Sequence, residues 1–383
     1  LRDVYKRQVE TPLAAIATMG AMAPHLATFE DRSSSTTAER AAAIARAMPN
    51  LRSLRLQGSL DSEHVEAITY VWEALPCSRL TSLAFASDAV APPRVLEGAH
   101  WPQLRQLCGI SLTGDAAAAL ARALPSLEAL GAILQGQWAG ASQAAFTRVR
   151  EADIKLCCES FNTHARISSL LPSLERLTLW EKGRTISTDL ADATRLTHLV
   201  LGTNGDNFSK LQPRAWAALS TMSRLLHLAL DVTPAEVPQL ARLPAALEVL
   251  SVNVYDEARG QLVLIPENVP DPFDLCSVLE AAARLPRLRT LMVEAPDMHL
   301  NHGSLARLVR AGLGGLEALV VDRYGQRLKL HDIALLAALP GLRRLHIYPL
   351  DHPAEFERLV AEHASRGLEI TWASNADDPF HRV

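Results

Sequence analysis

Cysteine is scarce in this sequence, and its spacing does not match a metal site. The five cysteines are scattered, and no two pairs have the Cys-x-x-Cys spacing that a structural zinc site needs: Cys77, Cys108, Cys157, Cys158 and Cys276. We interpret the adjacent Cys157 and Cys158 as small apolar residues of a buried segment rather than redox or metal ligands. Reduced thiols favour an intracellular protein, either cytoplasmic or nuclear.

The sequence also lacks a charge excess of one sign. Its formal net charge is −4, its pI is near 6.4, and basic and acidic residues are interspersed. This composition gives no general attraction to nucleic acid or to an anionic membrane, so neither is expected as a partner. The longest uncharged runs, 11–29 and 129–147, contain Pro, Gly, Gln or His, and no membrane-spanning helix is predicted.

The first residues need separate treatment. Residues 1–8, LRDVYKRQ, resemble translated adaptor or cloning sequence and are excluded from fold reasoning. The segment that follows, TPLAAIATMGAMA, superficially resembles a secretory signal. Its Ala, Thr and Gly make a poor apolar core, so a first helix of the fold is the favoured interpretation.

Familiar catalytic motifs are absent as well. The sequence contains no Gly-x-Ser-x-Gly elbow, kinase motif set or dinucleotide glycine fingerprint. The GTNGDN run at 202–207 lacks the residues of a phosphate or calcium loop, and we interpret it as a turn. His299 and His302 are interpreted as capping or solvated residues rather than metal ligands. We therefore expect no enzyme activity, cofactor, metal or small-molecule substrate.

One leucine-rich phrase recurs along the chain instead. It reads LERLTL at Leu174, with weaker copies at Leu26 and Leu368, and its clear copies start at Leu51, Leu80, Leu104, Leu127, Leu174, Leu196, Leu225, Leu247, Leu288, Leu316 and Leu342. The gap of 47 residues from Leu127 to Leu174 is about twice the usual spacing. We place a degenerate copy, EADIKL, at Glu151, which brings the prediction to fourteen units.

The phrase predicts one short strand per repeat. Its second and third leucines are two residues apart, so on a strand they point to one face while the residues between them point to the other. The intervening segments, such as GDAAAALARAL and FDLCSVLEAAARL, have the apolar spacing of helices. Eight prolines, from Pro49 to Pro340, are predicted to end these helices. Alternation of strand and helix implies parallel strands joined by right-handed crossovers.

This pattern resembles the leucine-rich repeat family, whose phrase L-x-x-L-x-L is matched over almost the whole chain after residue 10. The asparagine that usually follows the phrase is nearly absent, with Asn204 a clear instance. The resemblance implies an α/β fold, a right-handed βα horseshoe with a parallel sheet on its concave face and helices on its convex face. We expect a single solenoid of about fourteen irregular repeats over 9–373, followed by a tail at 374–383.

Residues between the leucines are the candidate binding positions, because packing does not require them. In the central and C-terminal repeats they are Arg176, Thr178, Trp180, His198, His227, Asp231, Ser251, Asn253, Glu294, Asp322, Arg344, His346 and Tyr348. Exposed Trp and Tyr with nearby Arg are enriched at binding hot spots. In the first repeats Arg52, Arg55, Gln57 and Arg105 make the same face more basic. The segments 202–213 and 256–272 are expected to protrude as loops.

These features predict a non-enzymatic scaffold that binds a partner protein on its concave face. Irregular repeats with LP-x-L phrases resemble the leucine-rich part of F-box proteins, which implies the substrate receptor of a ubiquitin ligase. No F-box is visible, and because the sequence does not begin with Met, we expect that one could lie upstream. Alternatives are a regulator of a small GTPase, an immune-type sensor, and an enzyme with an unrecognised pocket between loop 256–272 and the concave face.

Overall fold

The computed structural model divides the chain into two compact units. Unit 1 comprises Leu1–Lys182 and Thr188–Ala193, and unit 2 comprises Gly183–Ser187 and Thr194–Val383. The residues that the structure describes are 13–22, 25–31, 38–56, 79–90, 101–135, 146–156, 167–181, 185–186, 190–203, 210–255, 273–295, 298–311, 315–322, 330–347, 353–364 and 366–372. The predicted loop at 256–272, Gln57 and Tyr348 lie outside these ranges.

Unit 1 consists of parallel strands that follow one another in chain order. The strands are β1 Thr28–Asp31, β2 Ser53–Leu56, β3 Ser82–Val90, β4 Gln106–Leu112, β5 Ala129–Leu134, β6 Glu151–Leu156 and β7 Arg176–Glu181. Each strand pairs in parallel with the next strand of the unit. The described helices are α1 Leu13–Met22, α2 Ala38–Ala47, α3 Gly114–Ala123 and α4 Ile167–Leu170.

Unit 2 repeats this arrangement, with short strand pairs added outside the main sheet. Its strands are β8 Thr185–Ile186, β9 His198–Thr203, β10 Lys210–Leu211, β11 His227–Val232, β12 Val249–Val254, β13 Phe273–Asp274, β14 Thr290–Glu294, β15 Met298–His299, β16 Ala318–Asp322, β17 Arg344–Ile347 and β18 Glu369–Trp372. The short strands pair as β8 with β10 and as β13 with β15, and the others form parallel ladders in chain order.

The helices of unit 2 fill the segments between its strands. They are α5 Pro213–Thr221, α6 Leu275–Ala282, α7 His302–Ala311, α8 Leu330–Ala337 and α9 Pro353–Ala364, with a 3-10 helix at Val237–Arg242. The structure confirms the helices predicted from apolar spacing in the described segments. The 3-10 helix was not predicted, and because it is narrower than an α-helix it leaves more space beside its neighbour.

The prediction of one strand for each leucine phrase is confirmed. We call the first leucine of each phrase its marker, and twelve of the fourteen main-sheet strands begin two residues after a marker, as β4 begins after Leu104 and β14 after Leu288. The leucines of the phrase are buried, because the strand places them on the face that packs against the helix layer. Stacking repeats encloses these side chains, which stabilises the fold by about 1.5–3 kcal/mol for each large apolar side chain.

The degenerate copy EADIKL forms a strand, as predicted, but the marker position of this repeat lies two residues earlier than predicted. The strand starts at Glu151 itself, so Val149 takes the place of the marker leucine. The Val149 N–H donates to the Phe146 carbonyl at 3.3 Å, just as the Leu127 N–H donates to the Leu124 carbonyl at 3.2 Å. A valine stands at the marker position, so the leucine phrase predicts the presence of this repeat but not its phase.

Prolines and polar caps mark the ends of the helices. Pro125 follows α3 and Pro286 follows α6, in the turn that leads to the next strand. At the N-terminus of α6, Asp274 accepts a hydrogen bond from the Cys276 N–H at 3.0 Å. At α7 the cap is Asn301, whose side-chain oxygen accepts from the Ser304 N–H at 3.2 Å. The side chains of His299 and His302, predicted to be capping or solvated, are not described by the structure.

A buried ion pair joins the first strand to the helix that follows it. The Arg40 guanidinium binds the Asp31 carboxylate through two hydrogen bonds of 2.5 and 2.7 Å. Both side chains are at most 9% exposed. Loss of one partner would leave a buried charge, so the pair fixes α2 over β1.

Candidate functional site

The outward face of the sheet carries most of the residues predicted to bind a partner. In unit 1 these are Arg176, Thr178 and Trp180, and in unit 2 they are His198, His227, Asp231, Ser251, Asn253, Glu294, Asp322 and Arg344. Arg176 and Arg344 are exposed, and the others are partly exposed, apart from Asp322, whose side chain is not described. Because parallel strands pair in register, residues far apart in sequence become neighbours across this face.

In unit 2 four polar residues form one row across adjacent strands. Asp231 pairs with Asn253, Asn253 with Glu294, and Glu294 with Asp322. The Asn253 amide donates to the Asp231 carboxylate at 3.1 Å. Asp231 and Glu294 are carboxylates with described side chains, so this end of the face has negative charge.

Two histidines stack at the start of β9 and β11. His198 and His227 pair in register, and their ring centroids are 4.1 Å apart with an interplanar angle of 22°. The Thr197 hydroxyl and His198 Nδ1 share a hydrogen bond of 2.9 Å. The stack gives the face a flat aromatic surface, four residues before Asp231 of the polar row on β11.

His346 differs from the expectation of an exposed side chain. It is only 5% exposed, and its Nδ1 shares a hydrogen bond of 2.7 Å with the Thr371 hydroxyl of the neighbouring strand. Its other neighbour in register, Val320, is buried as well. A pattern of alternation predicts the face on which a side chain lies, but not what covers that face.

In unit 1 the outward face has a floor of small residues. Ala84, Cys108 and Gly131 lie side by side on β3, β4 and β5. A Cβ atom at Gly131 would lie 3.2 Å from Cys108 Sγ, so the absent side chain of Gly131 makes room for the thiol. The floor is therefore lower than the strands on either side, which carry larger side chains.

Trp180 lies on β7, two strands from Gly131, and Asp153 of the intervening strand is the neighbour of Gly131 in register. Trp180 pairs in register with Lys155, and its side chain hydrogen bonds to Asp153 of the same neighbouring strand. Burial raises the pKa of Asp153, while Lys155 and the Trp180 hydrogen bond lower it; the net effect is a raised pKa. We call Cys108, Gly131, Asp153, Lys155 and Trp180 the Trp180 patch.

Cys108 is an exposed residue, but protein atoms surround part of its sulfur, and the thiol is not activated. Burial of the sulfur raises the pKa of Cys108, and the nearby carboxylates of Asp153 and Glu151 raise it further, against the lowering effects of Gly131 and Arg55. A nucleophilic cysteine needs a lowered pKa. The surroundings of Cys108 therefore suit a contact surface better than covalent catalysis.

Sequence reasoning missed an alternating row of charges at the start of the strands. In two runs of four consecutive repeats the residue after the marker alternates in sign. We call these residues the charge ladder: Arg105, Glu128, Arg150 and Glu175 in unit 1, and Glu248, Arg289, Glu317 and Arg343 in unit 2. Their salt bridges include Arg105–Glu128 at 3.5 Å and Arg289–Glu317 at 3.9 Å. The signal was the residue that follows each leucine marker.

Neither a metal site nor a membrane span was found in the part of the chain that the structure describes. There, no group of three or more His, Cys, Asp or Glu side chains is arranged to hold a metal ion. Within the same residues, no helix combines the length and the hydrophobicity needed to cross a bilayer.

In each unit, parallel strands follow the chain order and each repeat contributes one strand to a common core. The fold is that of a leucine-rich repeat solenoid. No protein-family model matches the sequence, and no curated protein matches it.

Three solved structures are similar to this chain at low scores. The complex of yeast Rad7 with Elc1 has a TM-score of 0.41 and 16% identity, over 87% of this chain and 88% of that one. TLR13 in complex with ssRNA13 has a TM-score of 0.34 and 14% identity, over 88% and 52%. CroV588, a circular LRR protein, has a TM-score of 0.30 and 11% identity, over 89% and 55%. Likeness at this level carries no argument about a partner.

Proposed function

We propose that this protein is a non-enzymatic interaction scaffold that binds a partner protein on the outward face of its sheet. The observation that carries the proposal is the Trp180 patch. A partly exposed tryptophan is hydrogen bonded to Asp153, which lies next to Gly131 at the edge of a floor of small residues. The floor leaves room for a side chain of another molecule.

The physical basis is the low entropic cost of contact at this patch. Trp180 is held by the Asp153 hydrogen bond and lies next to Lys155, so a partner meets a large side chain that is already ordered. Arg55, Asp153 and Lys155 supply charges of both signs around the floor and can fix the orientation of polar groups on the partner.

The face of unit 2 supplies a second set of contacts in this proposal. The stacked His198 and His227 offer an aromatic surface, and Asp231, Asn253 and Glu294 offer acceptors and an amide. Ser251, Asp322 and Arg344 extend the face along neighbouring strands. Tyr348 and the buried His346 belong to the predicted set and are retained as proposals for the last repeats.

The experiment has two steps, capture of the partner and measurement of its affinity. The purified protein is used as bait in an extract of its source cells, and a captured protein is then titrated calorimetrically against wild type and variants. Trp180→Ala should weaken binding at least about tenfold, because truncation of a central aromatic removes a hot spot. Its melting curve should match that of the wild type.

Arg122→Ala is the matched control, because Arg122 is exposed on α3 in the same unit and lies outside the proposed face. This variant should bind with wild-type affinity. Equal affinity of the Trp180→Ala variant for the captured partner would remove the Trp180 patch from the interface. If charge reversal at Asp231 and Glu294 also had no effect, the proposal of a binding face would fail.

The captured partner distinguishes between three classes of scaffold protein. We propose an intracellular substrate receptor of an F-box-type ubiquitin ligase, supported by the LP-x-L phrases; recovery of ligase components would support it. Recovery of a small GTPase would favour the regulator, and immune-signalling proteins would favour the sensor. Turnover of a substrate by the purified protein would overturn the non-enzymatic proposal.

A further inference from the structure

The helix layer of unit 2 contains a groove that is separate from the sheet face. The groove has a volume of about 470 Å³ and lies between α5 and the 3-10 helix Val237–Arg242. A 3-10 helix is narrower than an α-helix, so it fills less of the space beside its neighbour. The volume is within the range of sites that bind small molecules or peptide side chains.

The α5 wall of the groove is mainly apolar. Pro213, Trp216, Ala217 and Ser220 all line the groove, and their spacing of three and four residues places them on one helix face. Leu211 and Leu243 also line the groove and are buried. An apolar side chain from another molecule would find apolar partners on this wall.

The opposite wall carries a polar stripe. Glu236, Gln239 and Arg242 are three residues apart, and three residues make one turn of a 3-10 helix, so these side chains align along the groove. At a rise of about 2.0 Å per residue, Glu236 and Arg242 are separated by about 12 Å along the axis. The groove therefore has an acidic end and a basic end.

The acidic end is already occupied by internal hydrogen bonds. Glu236 Oε1 accepts from the Leu211 N–H at 3.1 Å and from Trp216 Nε1–H at 3.4 Å. Its Oε2 accepts from the Thr233 N–H and from the Thr233 hydroxyl, both at 2.9 Å. Four donors use the lone pairs of this carboxylate, so it has little capacity left for a ligand.

The basic end is available. The Arg242 side chain is exposed, and among the residues that the structure describes no carboxylate forms an ion pair with it. A guanidinium at the edge of an apolar groove is the group that recognises a carboxylate through two parallel hydrogen bonds. The positive charge at this end is therefore open to a ligand, while the negative charge of Glu236 stays at the other end, about 12 Å away.

We propose that this groove binds a peptide segment in which a large apolar side chain is followed by a carboxylate. The apolar side chain packs against Trp216 and Ala217, and the carboxylate pairs with Arg242. The Gln239 amide lies between them on the same stripe and can hydrogen bond to the peptide backbone. The carboxylate is the side chain of an Asp residue within the segment.

Ligand-observed NMR with synthetic peptides tests the proposal on the full chain. The probes are acetyl-Ala-Phe-Asp-Ala-amide, acetyl-Ala-Phe with a free C-terminus, and acetyl-Ala-Phe-Lys-Ala-amide. We expect saturable binding of acetyl-Ala-Phe-Asp-Ala-amide, and binding of the lysine peptide weaker by at least about tenfold. Binding of the peptide with the free C-terminus alone would overturn the choice of an Asp side chain.

Variants of the groove connect binding to its residues. Arg242→Gln removes the charge, and Ala217→Trp fills the apolar wall from an exposed position on α5. Each substitution should weaken the binding of the aspartate peptide by at least about tenfold. Arg224→Gln, which changes an exposed arginine outside the groove, should leave the affinity unchanged. Melting curves establish that the three variants are folded.

The inference is overturned if neither acidic peptide binds at concentrations up to about 10 mM, which corresponds to binding too weak to matter. Equal binding of the acidic and lysine peptides would also overturn it. So would binding that both groove variants leave unchanged. None of these results bears on the sheet face, because the groove lies in the helix layer.

Discussion

At the scale of the residue, the Cys108 thiol lies on the exposed face of β4, above Gly131. Arg55 and the carboxylates of Asp153 and Glu151 act on it with opposite signs. Burial and the carboxylates dominate, so the pKa of Cys108 is higher than that of an ordinary thiol. A raised pKa leaves less thiolate at a given pH, and the thiolate is the reactive form.

Alkylation of Cys108 should therefore be slow at pH 7 and should accelerate as the pH rises through the raised pKa. Asp153→Asn removes a negative charge, lowers the pKa and should speed alkylation by iodoacetamide at pH 8. Arg55→Gln removes a positive charge and should slow it. Peptide mapping by mass spectrometry follows the site; identical rates in the two variants would contradict the electrostatic account.

The buried Cys276 serves as an internal reference in that experiment. Burial and the neighbouring Asp274 raise the pKa of Cys276 to about 12. Its sulfur also donates a hydrogen bond to the Asn301 carbonyl at 3.4 Å. Alkylation of Cys276 in the native state should be much slower than that of Cys108, and comparable rates would indicate unfolding during the reaction.

At the scale of the element, β4 contains a bulge centred on Gly109. Between Leu107 and Ile110, β4 has one residue more than its partner β5, and across the same point the pairing of β4 with β3 also shifts. Gly109 has a φ of 75°. A Cβ atom there would lie 1.9 Å from the Phe85 carbonyl oxygen. Glycine is therefore required twice, by the left-handed backbone and by the close approach of β3.

Gly109→Ala should lower the free energy of unfolding by about 3 kcal/mol or more, because the new methyl group displaces the backbone of β3. Gly367→Ala is the matched control. Gly367 has nearly the same φ, 76°, but no atom lies within 4 Å of the position that its new methyl group would take. Only the backbone strain remains there, so that substitution should cost about 1–2 kcal/mol.

Urea unfolding followed by circular dichroism measures both losses. The difference between the two variants isolates the collision with Phe85 from the cost of the left-handed backbone. Equal losses would mean that β3 moves away without cost, and the bulge would then not be held by packing.

At the scale of the whole molecule, the charge ladder contributes equal numbers of positive and negative charges to a chain whose formal net charge is −4. Each ladder residue is flanked by residues of opposite sign where the ladder continues, and the pairs are exposed. Exposed pairs contribute about 0–1 kcal/mol each, and salt screens them. The ladder therefore contributes little to the free energy of unfolding. Its alternation in sign avoids the repulsion that like charges would cause between neighbouring repeats.

Glu128→Arg places three arginines in a row with Arg105 and Arg150. In about 10 mM salt this variant should be less stable than Glu128→Gln by about 1 kcal/mol, because like charges repel at neighbouring positions. In about 1 M salt the difference should disappear, since the Debye length is then about 3 Å.

Denaturant titrations at the two salt concentrations measure this effect. Glu317→Arg, flanked by Arg289 and Arg343 in unit 2, should behave in the same way. Glu357→Arg, on the exposed surface of α9, should show little salt dependence. A salt-independent difference at Glu128 would point to lost packing rather than charge.

The repeat architecture could be predicted from the sequence because it depends on local patterns. Two buried positions separated by one exposed position define a strand, and Leu107 or Leu291 can occupy such a position without information from the rest of the chain. Turns before each strand follow from proline and the marker leucine in the same local way. The phase of the repeat before β7 was predicted incorrectly because Val149 occupies the position at which the phrase has leucine.

The sites depend on neighbours that are distant in sequence, and only the tertiary structure could reveal them. Trp180 meets Asp153 across 27 residues, His198 stacks on His227 across 29, and Asp31 binds Arg40 only because α2 packs over β1. The groove beside the 3-10 helix likewise needs two elements at a particular distance. Periodicity determines which face a side chain takes, whereas strand register and packing determine what it touches.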